Sequence, residues 1–164
     1  MTIGQTNVQR FSVVSSRPFE SVVAALEGAV GHPDIREFQN EIGAAKTYAE
    51  MESIVQKAAA KSGLIEFARL DLGAVLRKET GLGKPKSLRF LIGNPLIMKE
   101  MVKHVPDAGS YAPVTVLIDE RPDGVHLSYD TMAGFLAPYG NKDALQVARD
   151  LDAKVENLLR QAAA

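Results

Sequence analysis

The chain contains no cysteine and no tryptophan. Without cysteine there is no disulfide framework, no zinc–cysteine centre, no iron–sulfur cluster and no thiol nucleophile. Aromatic residues are only 6% of the sequence, which is poor material for a base-stacking surface. An excess of one charge is missing too: 19 Lys and Arg face 20 Asp and Glu, a net charge of −1. Nothing therefore draws the whole molecule to DNA or to an anionic membrane, and neither is expected as a partner. No run approaches the roughly 18 apolar residues of a membrane span. Residues 1–7 are polar and lack the basic-then-apolar pattern of a secretory signal, so they read as a flexible terminus and the expected location is cytoplasmic.

What remains is ordinary globular material, 46% hydrophobic and 24% charged over 164 residues. That suits one domain spanning 1–164, which can bury on the order of 70% of its unfolded surface without a metal or disulfide. Residues 8–15, with Phe11, Val13 and Val14, predict a strand. Ser15 or Ser16 then caps a helix in which Phe19, Val22, Val23, Leu26 and Val30 recur at helical spacing, ending near Gly31 and His32-Pro33. Residues 34–61 read as helix again, in two pieces hinged near Gly43, with an apolar stripe of Ile35, Phe38, Ile42, Ala45, Tyr48, Met51, Val55 and Ala58. That stripe either packs on the domain or serves as a dimer contact.

Residues 64–72 form a period-2 strand and 73–80 a short helix, and the glycines and proline of 81–86 make a loop. A strand at 88–92 stops at Gly93-Asn94-Pro95, and a helix runs from 96 to 104, followed by a loop at 106–110. The β-branched run 114–118 is a buried strand, Arg121-Pro122-Asp123-Gly124 a hairpin turn, and 125–129 the returning strand. Residues 142–163 form a long amphipathic helix. The hairpin opposes an all-parallel sheet, so the expected fold is α+β: a two-layer sandwich with a mixed or antiparallel sheet and helices on one face.

Chemical motifs are sparse. Gly81-Leu82-Gly83-Lys84 fails as a phosphate loop, because Lys78 occupies the position of its first glycine and Pro85 that of its Ser or Thr. Five cations, Arg77, Lys78, Lys84, Lys86 and Arg89, nevertheless crowd thirteen residues with one acid, Glu79, which makes either a local anion site or a solvated loop. The Gly93-Asn94-Pro95 junction, where a strand ends and a helix begins, is the best location for a site. Glycine permits close approach, Asn94 can cap the helix, and the helix N-terminus favours an anion or polar ligand. Asp71, Lys86 and Tyr129 are expected beside Gly93, Asn94 and Pro95 as ligand-binding residues.

Catalytic residues are not identifiable. Asp71, His104, Asp107, His126 and Tyr129 are the available acids and bases, and no serine sits in a nucleophile elbow. No cofactor is expected. His104 lies four residues after Glu100, with Met98 and Met101 nearby, and these are the weak candidates for metal or haem ligation.

The strand–Gly93-Asn94-Pro95–helix element, followed by Pro106, by Pro113 leading into a β-branched strand, and by Ser128-Tyr129, resembles the domain of unknown function 302 family of bacteria and archaea. The helix start Phe19-Glu20-x-Val22-Val23-x-x-Leu26 and the strand over 63–71 fit its opening segment. The resemblance spans about residues 11–159 and implies a compact α+β sandwich, a homodimer, and no established activity. The chain departs from it in two places: residues 32–47 look inserted, lengthening a helical region of about 32–61, and Tyr111-Ala112 stand where the family tends to carry Asp-Leu. The leading expectation is a homodimeric ligand-binding or accessory domain with a cleft at the Gly93 junction. The alternatives are an enzyme using Asp71, His104 or Tyr129 on a small substrate, and a haem or metal protein.

Overall fold

A computed structural model describes residues 5–164. Of the polar terminus expected to be flexible, residues 1–4 lie outside the described residues, and Gln5, Thr6 and Asn7 carry no regular structure. The strands are β1 (Arg10–Ser15), β2 (Ile65–Asp71), β3 (Ser87–Gly93), β4 (Val114–Arg121) and β5 (Gly124–Asp130). The helices are α1 (Phe19–Glu27), α2 (Ile35–Ala44), α3 (Tyr48–Ala58), α4 (Gly73–Thr80), α5 (Pro95–Val102), α6 (Met132–Leu136) and α7 (Lys142–Ala163).

The strands form one antiparallel sheet in the order β1-β5-β4-β3-β2. β2 to β5 make a meander, while α1, α2 and α3 carry the chain from β1 at one edge to β2 at the other. The sheet is therefore antiparallel rather than mixed; the one parallel pairing among the described residues is an isolated bridge between Gly31 and Ile65. The β4–β5 turn uses Gly124 at φ 140°, and a side chain there would meet the Ser15 carbonyl at 2.7 Å.

Alternation along the strands decides which face is covered. Phe90, Ile92, Val116, Ile118 and Leu127 are fully buried and pack with α1, α5, α6 and α7 in one core. Their neighbours Arg89, Thr115, Leu117, His126 and Ser128 point away from that core and remain accessible to different degrees. The long helix contributes Ala148, Val155 and Leu159, all fully buried. Its start is capped by Asn141, whose side chain accepts the Ala144 N–H.

The 35–58 stripe folds back on itself. α2 and α3 break at Ala45 to Thr47, and Phe38 and Val55 close with Ile65 into a second, smaller core. Gly31 brings this unit to the sheet: its N–H donates to the Leu64 carbonyl and its carbonyl accepts the Glu66 N–H, each at 2.8 Å. Two local expectations need correction. Neither Ser15 nor Ser16 caps α1, whose N-cap position is Pro18. Ser15 instead donates its hydroxyl to the Ala163 carbonyl at 2.6 Å, tying β1 to the end of α7. The stretch before α7 also holds a short helix, α6, capped by the Thr131 hydroxyl.

Candidate functional site

The Gly93 junction folds much as its residue types require. Asn94 is extended, at φ −145° and ψ 123°, and its Oδ1 accepts the Leu96 N–H at 2.8 Å, while Pro95 occupies the first turn where no N–H is needed. The Asn94 amide also donates to the Gly63 carbonyl at 2.8 Å, locking the junction to the residues before β2. Gly93 is packed closely: a Cβ there would lie 3.3 Å from the Pro113 side chain and 3.7 Å from Phe67.

Beside the junction lies a partly open cavity of about 150 Å³. Phe67, Ile97, Met98, Met101, Val114 and Leu151 form most of its wall, with Gly93, Asn94, Pro95, Ala112 and Pro113 at its margin. Its chemistry differs from the anion or polar site expected at a helix N-terminus. Pro95 has no N–H to offer, Asn94 already takes that of Leu96, and the remaining wall is hydrocarbon and thioether. Sequence reasoning missed Phe67 and Leu151. Phe67 stands at a β-bulge, where the β2–β3 register shifts between Glu66 and Ala68, and Leu151 arrives from α7.

Asp71, Lys86 and Tyr129 are not at this cavity. In the β2–β3 pair Gly93 faces Ile65, whereas Asp71 faces Leu88 at the opposite end, about 20 Å away along the strand. Asp71 accepts from Arg77 at 2.7 Å and from the Ala74 N–H at 2.9 Å, an ion pair that holds its carboxyl below the usual range and also starts α4. Lys86, just before β3, is at that same distant end and pairs with Glu20. Tyr129 is in the core, 1% exposed; its hydroxyl donates to Asp152 Oδ1 at 2.6 Å. Burial, reinforced by the Asp152 charge, pushes this phenol above its ordinary pKa, the wrong direction for a base. The ambiguity was one of depth: alternation put Tyr129 on the face opposite His126 and Ser128, which is the buried one.

The acids and bases therefore do not converge. Asp71 is beside Arg77, Tyr129 is beneath α6, and His126 contacts Asp123 at 2.8 Å on the sheet's other face. His104 follows the end of α5 on the surface, and Glu100 is held by Lys99 and Lys103 rather than by a metal partner. Met101 is fully buried and Met98 lines the cavity. No group of three or more His, Asp or Glu side chains fit to hold a metal occurs among the described residues. No described helix is long and apolar enough to cross a membrane.

The crowded cations are dispersed by folding. Arg77 pairs with Asp71, Lys84 with Glu120 at 2.8 Å, and Lys86 with Glu20, so three of the five are neutralised locally.

Comparison with known proteins agrees with this architecture. The family model described as Domain of unknown function DUF302 matches residues 38–162, a span that opens inside α2 and takes in nearly all of the α2–α3 segment. The crystal structure of an uncharacterized conserved protein DUF302 from Bacillus stearothermophilus superposes with a TM-score of 0.64 at 12% identity, covering 93% of this chain and 97% of that one. At that identity the likeness is one of fold. No curated protein matches the sequence.

Proposed function

The chain belongs to the DUF302 family, and from that premise and its own geometry we propose that it is a small-molecule-binding accessory domain whose site is the apolar cavity at the Gly93-Asn94-Pro95 junction. The observation that carries this reading is the cavity's composition. Its one polar side chain, Asn94, already has partners for both its oxygen and its amide nitrogen, which leaves hydrocarbon surface for a ligand to meet. Apolar cavities near 150 Å³ accept a guest the size of benzene. The ligand class is thus a small aromatic ring or a short alkyl group, alone or as one end of a longer molecule. This replaces the anionic or polar ligand expected from the junction alone.

The homodimer implied by the family resemblance belongs to the same reading. Val75 and Leu82 are 73% and 66% exposed, and with Leu72 and Leu76 they offer apolar surface in and around α4 for a second copy. Light scattering distinguishes dimer from monomer. Cytoplasmic residence is a companion proposal, tested by fractionating the native host.

Thermal unfolding tests the cavity. At ten times Kd, benzene or indole is expected to stabilise the protein by about 1.4 kcal/mol, a rise in Tm of about 3–5 °C. Met98→Trp, which fills the cavity, should abolish that response while folding normally. Absence of any rise with a series of apolar probes on the natural sequence would overturn the reading.

A further inference from the structure

We infer that the open face of the sheet carries a second binding site, in which Arg89 receives the carboxylate or phosphate of a ligand whose flat apolar part rests against Tyr111 and Phe135. The inference does not depend on the cavity beside Gly93, which is walled largely by α5 and Leu151 of α7 and shares only Ala112, Pro113 and Val114 with the groove at Arg89.

Its starting point is a missing partner. β3 directs Leu88, Phe90 and Ile92 toward the helices, so Arg89 must face the other way. There it lies between Leu70 on β2 and Leu117 on β4, neither of which can neutralise it. The nearby carboxylates already serve other arginines. Asp130 is gripped by two Arg10 nitrogens at 2.6 and 2.8 Å, and Asp119 by two Arg121 nitrogens at 2.5 and 3.2 Å. Among the described residues Arg89 makes no ion pair, and its side-chain contact is a long 3.4 Å donation to the Thr115 hydroxyl. A guanidinium with five N–H donors is thus left with most of them free.

The second observation is the space around it. A groove of about 430 Å³ includes Arg89, Ser110, Tyr111, Thr115, Asp130 and Phe135 in its wall, and a smaller one of about 210 Å³ continues past Arg89, Thr115 and Asp130 toward Leu72. The larger groove alone is within the range of small-molecule sites. Its end is an aromatic plate: Tyr111 and Phe135 stack with ring centroids 4.7 Å apart and planes 7° from parallel. The Tyr111 hydroxyl sits 3.3 Å from that of Tyr139, which steadies the ring. Asp130 would repel an anion, but its bidentate pairing with Arg10 cancels most of that charge, and Arg89 then sets the local sign. The chemistry fitted to this arrangement is an aryl carboxylate or an aryl phosphate, held by a forked guanidinium and a ring-stacking wall.

Benzoate, phenyl phosphate, benzamide and inorganic phosphate, titrated separately while amide and arginine side-chain NMR shifts are followed, test the proposal. Benzoate or phenyl phosphate is expected to move the resonances of Arg89, Thr115 and Tyr111, and the stronger of the two identifies the acid group. Benzamide, which keeps the ring and loses the charge, should bind about tenfold more weakly or not at all. Arg89→Gln should weaken the anionic aryl probe at least tenfold, Tyr111→Leu should weaken it less, and Lys78→Gln, a charge change on α4, should leave it unaltered. Met98→Trp should also leave it unaltered, which separates this site from the apolar cavity. The inference is overturned if neither aryl anion binds, if Arg89→Gln binds them as well as the natural sequence, or if inorganic phosphate binds as tightly as phenyl phosphate.

Discussion

On β3, β4 and β5, Phe90, Val116 and Leu127 meet the helices, while Arg89, Thr115 and Ser128, their immediate neighbours in sequence, meet the opposite side of the sheet. The covered face is apolar and fully excluded from water at its centre; the open face mixes arginines, carboxylates and hydroxyls. The two candidate sites inherit this division. The cavity at Gly93 is walled mostly by apolar side chains of α5, by Leu151 of α7 and by Phe67, and offers little beyond dispersion and hydrophobic contact, whereas the groove at Arg89 is floored by the open face and offers charge; Ala112, Pro113 and Val114 border both. The two recesses thus differ in chemistry although they lie within a few residues of each other, and the strand period of two contributes to that difference.

The comparison is broken most severely by emptying the covered face. Leu127→Ala is expected to cost about 4 kcal/mol in denaturant unfolding, from lost transfer energy plus the cavity left behind. Leu117→Ala, one strand position from Ile118, the register partner of Leu127, and therefore on the open face, should cost under about 1 kcal/mol. Equal costs for the two would show that the open face is covered in solution, as by a second copy of the chain.

A polar element inside the covered side comes next. Asp152 on α7 is 7% exposed and accepts the Tyr129 hydroxyl, the Met132 N–H at 2.7 Å and the Ala133 N–H at 2.9 Å. Asp152→Ala should destabilise by about 3 kcal/mol, because it strands buried donors at the start of α6. Hydrogen exchange at Met132 and Ala133 should accelerate beyond the global change.

The smallest effect lies away from the sheet. Lys103 and Lys99 hold the Glu100 carboxyl down from 4.5 to about 2. A depressed carboxyl contributes its stability fully above its unfolded value and loses it as pH falls through the folded value. The contribution of Glu100 is therefore complete above about pH 4.5 and fades toward pH 2, and since the group is exposed it is slight. A Tm series for the natural sequence and Glu100→Gln should converge across that window.

Most of the secondary structure was legible because its causes are local. α7 begins and ends where the periodicity of Leu145, Ala148, Leu151, Val155 and Leu158 and the Asn141 cap place it, and α4 likewise fills 73–80. α6 was not legible, since five residues hold no period and what secures them is Asp152 from twenty residues further on. The cavity was legible as a place and not as a chemistry. Gly93-Asn94-Pro95 does border a cavity, yet its lining depends on Phe67, Leu151 and Pro113, which only the tertiary fold assembles. Asp71 and Lys86 were misplaced for a related reason: a strand separates its ends by many ångströms, and closeness in sequence to β3 says nothing about which end a residue occupies. Arg89 carried a usable signal, its alternation with Leu88, Phe90 and Ile92, but the absence of a neutralising carboxylate emerges only from cross-strand register.

The bulge in β2 has a consequence in the counting of residues. Glu66 pairs with Ile92 and Ala68 with Leu91, so the ladder steps over Phe67 and would be as long without it. Released from pairing, that ring can touch Phe38 of the smaller core edge-on, at 6.2 Å between centroids, and still wall the cavity. A single surplus position thus joins the α2–α3 unit to the cavity wall. In a lineage of such chains, insertions or deletions at this one point would change what the pocket admits while leaving the sheet's hydrogen bonding in register.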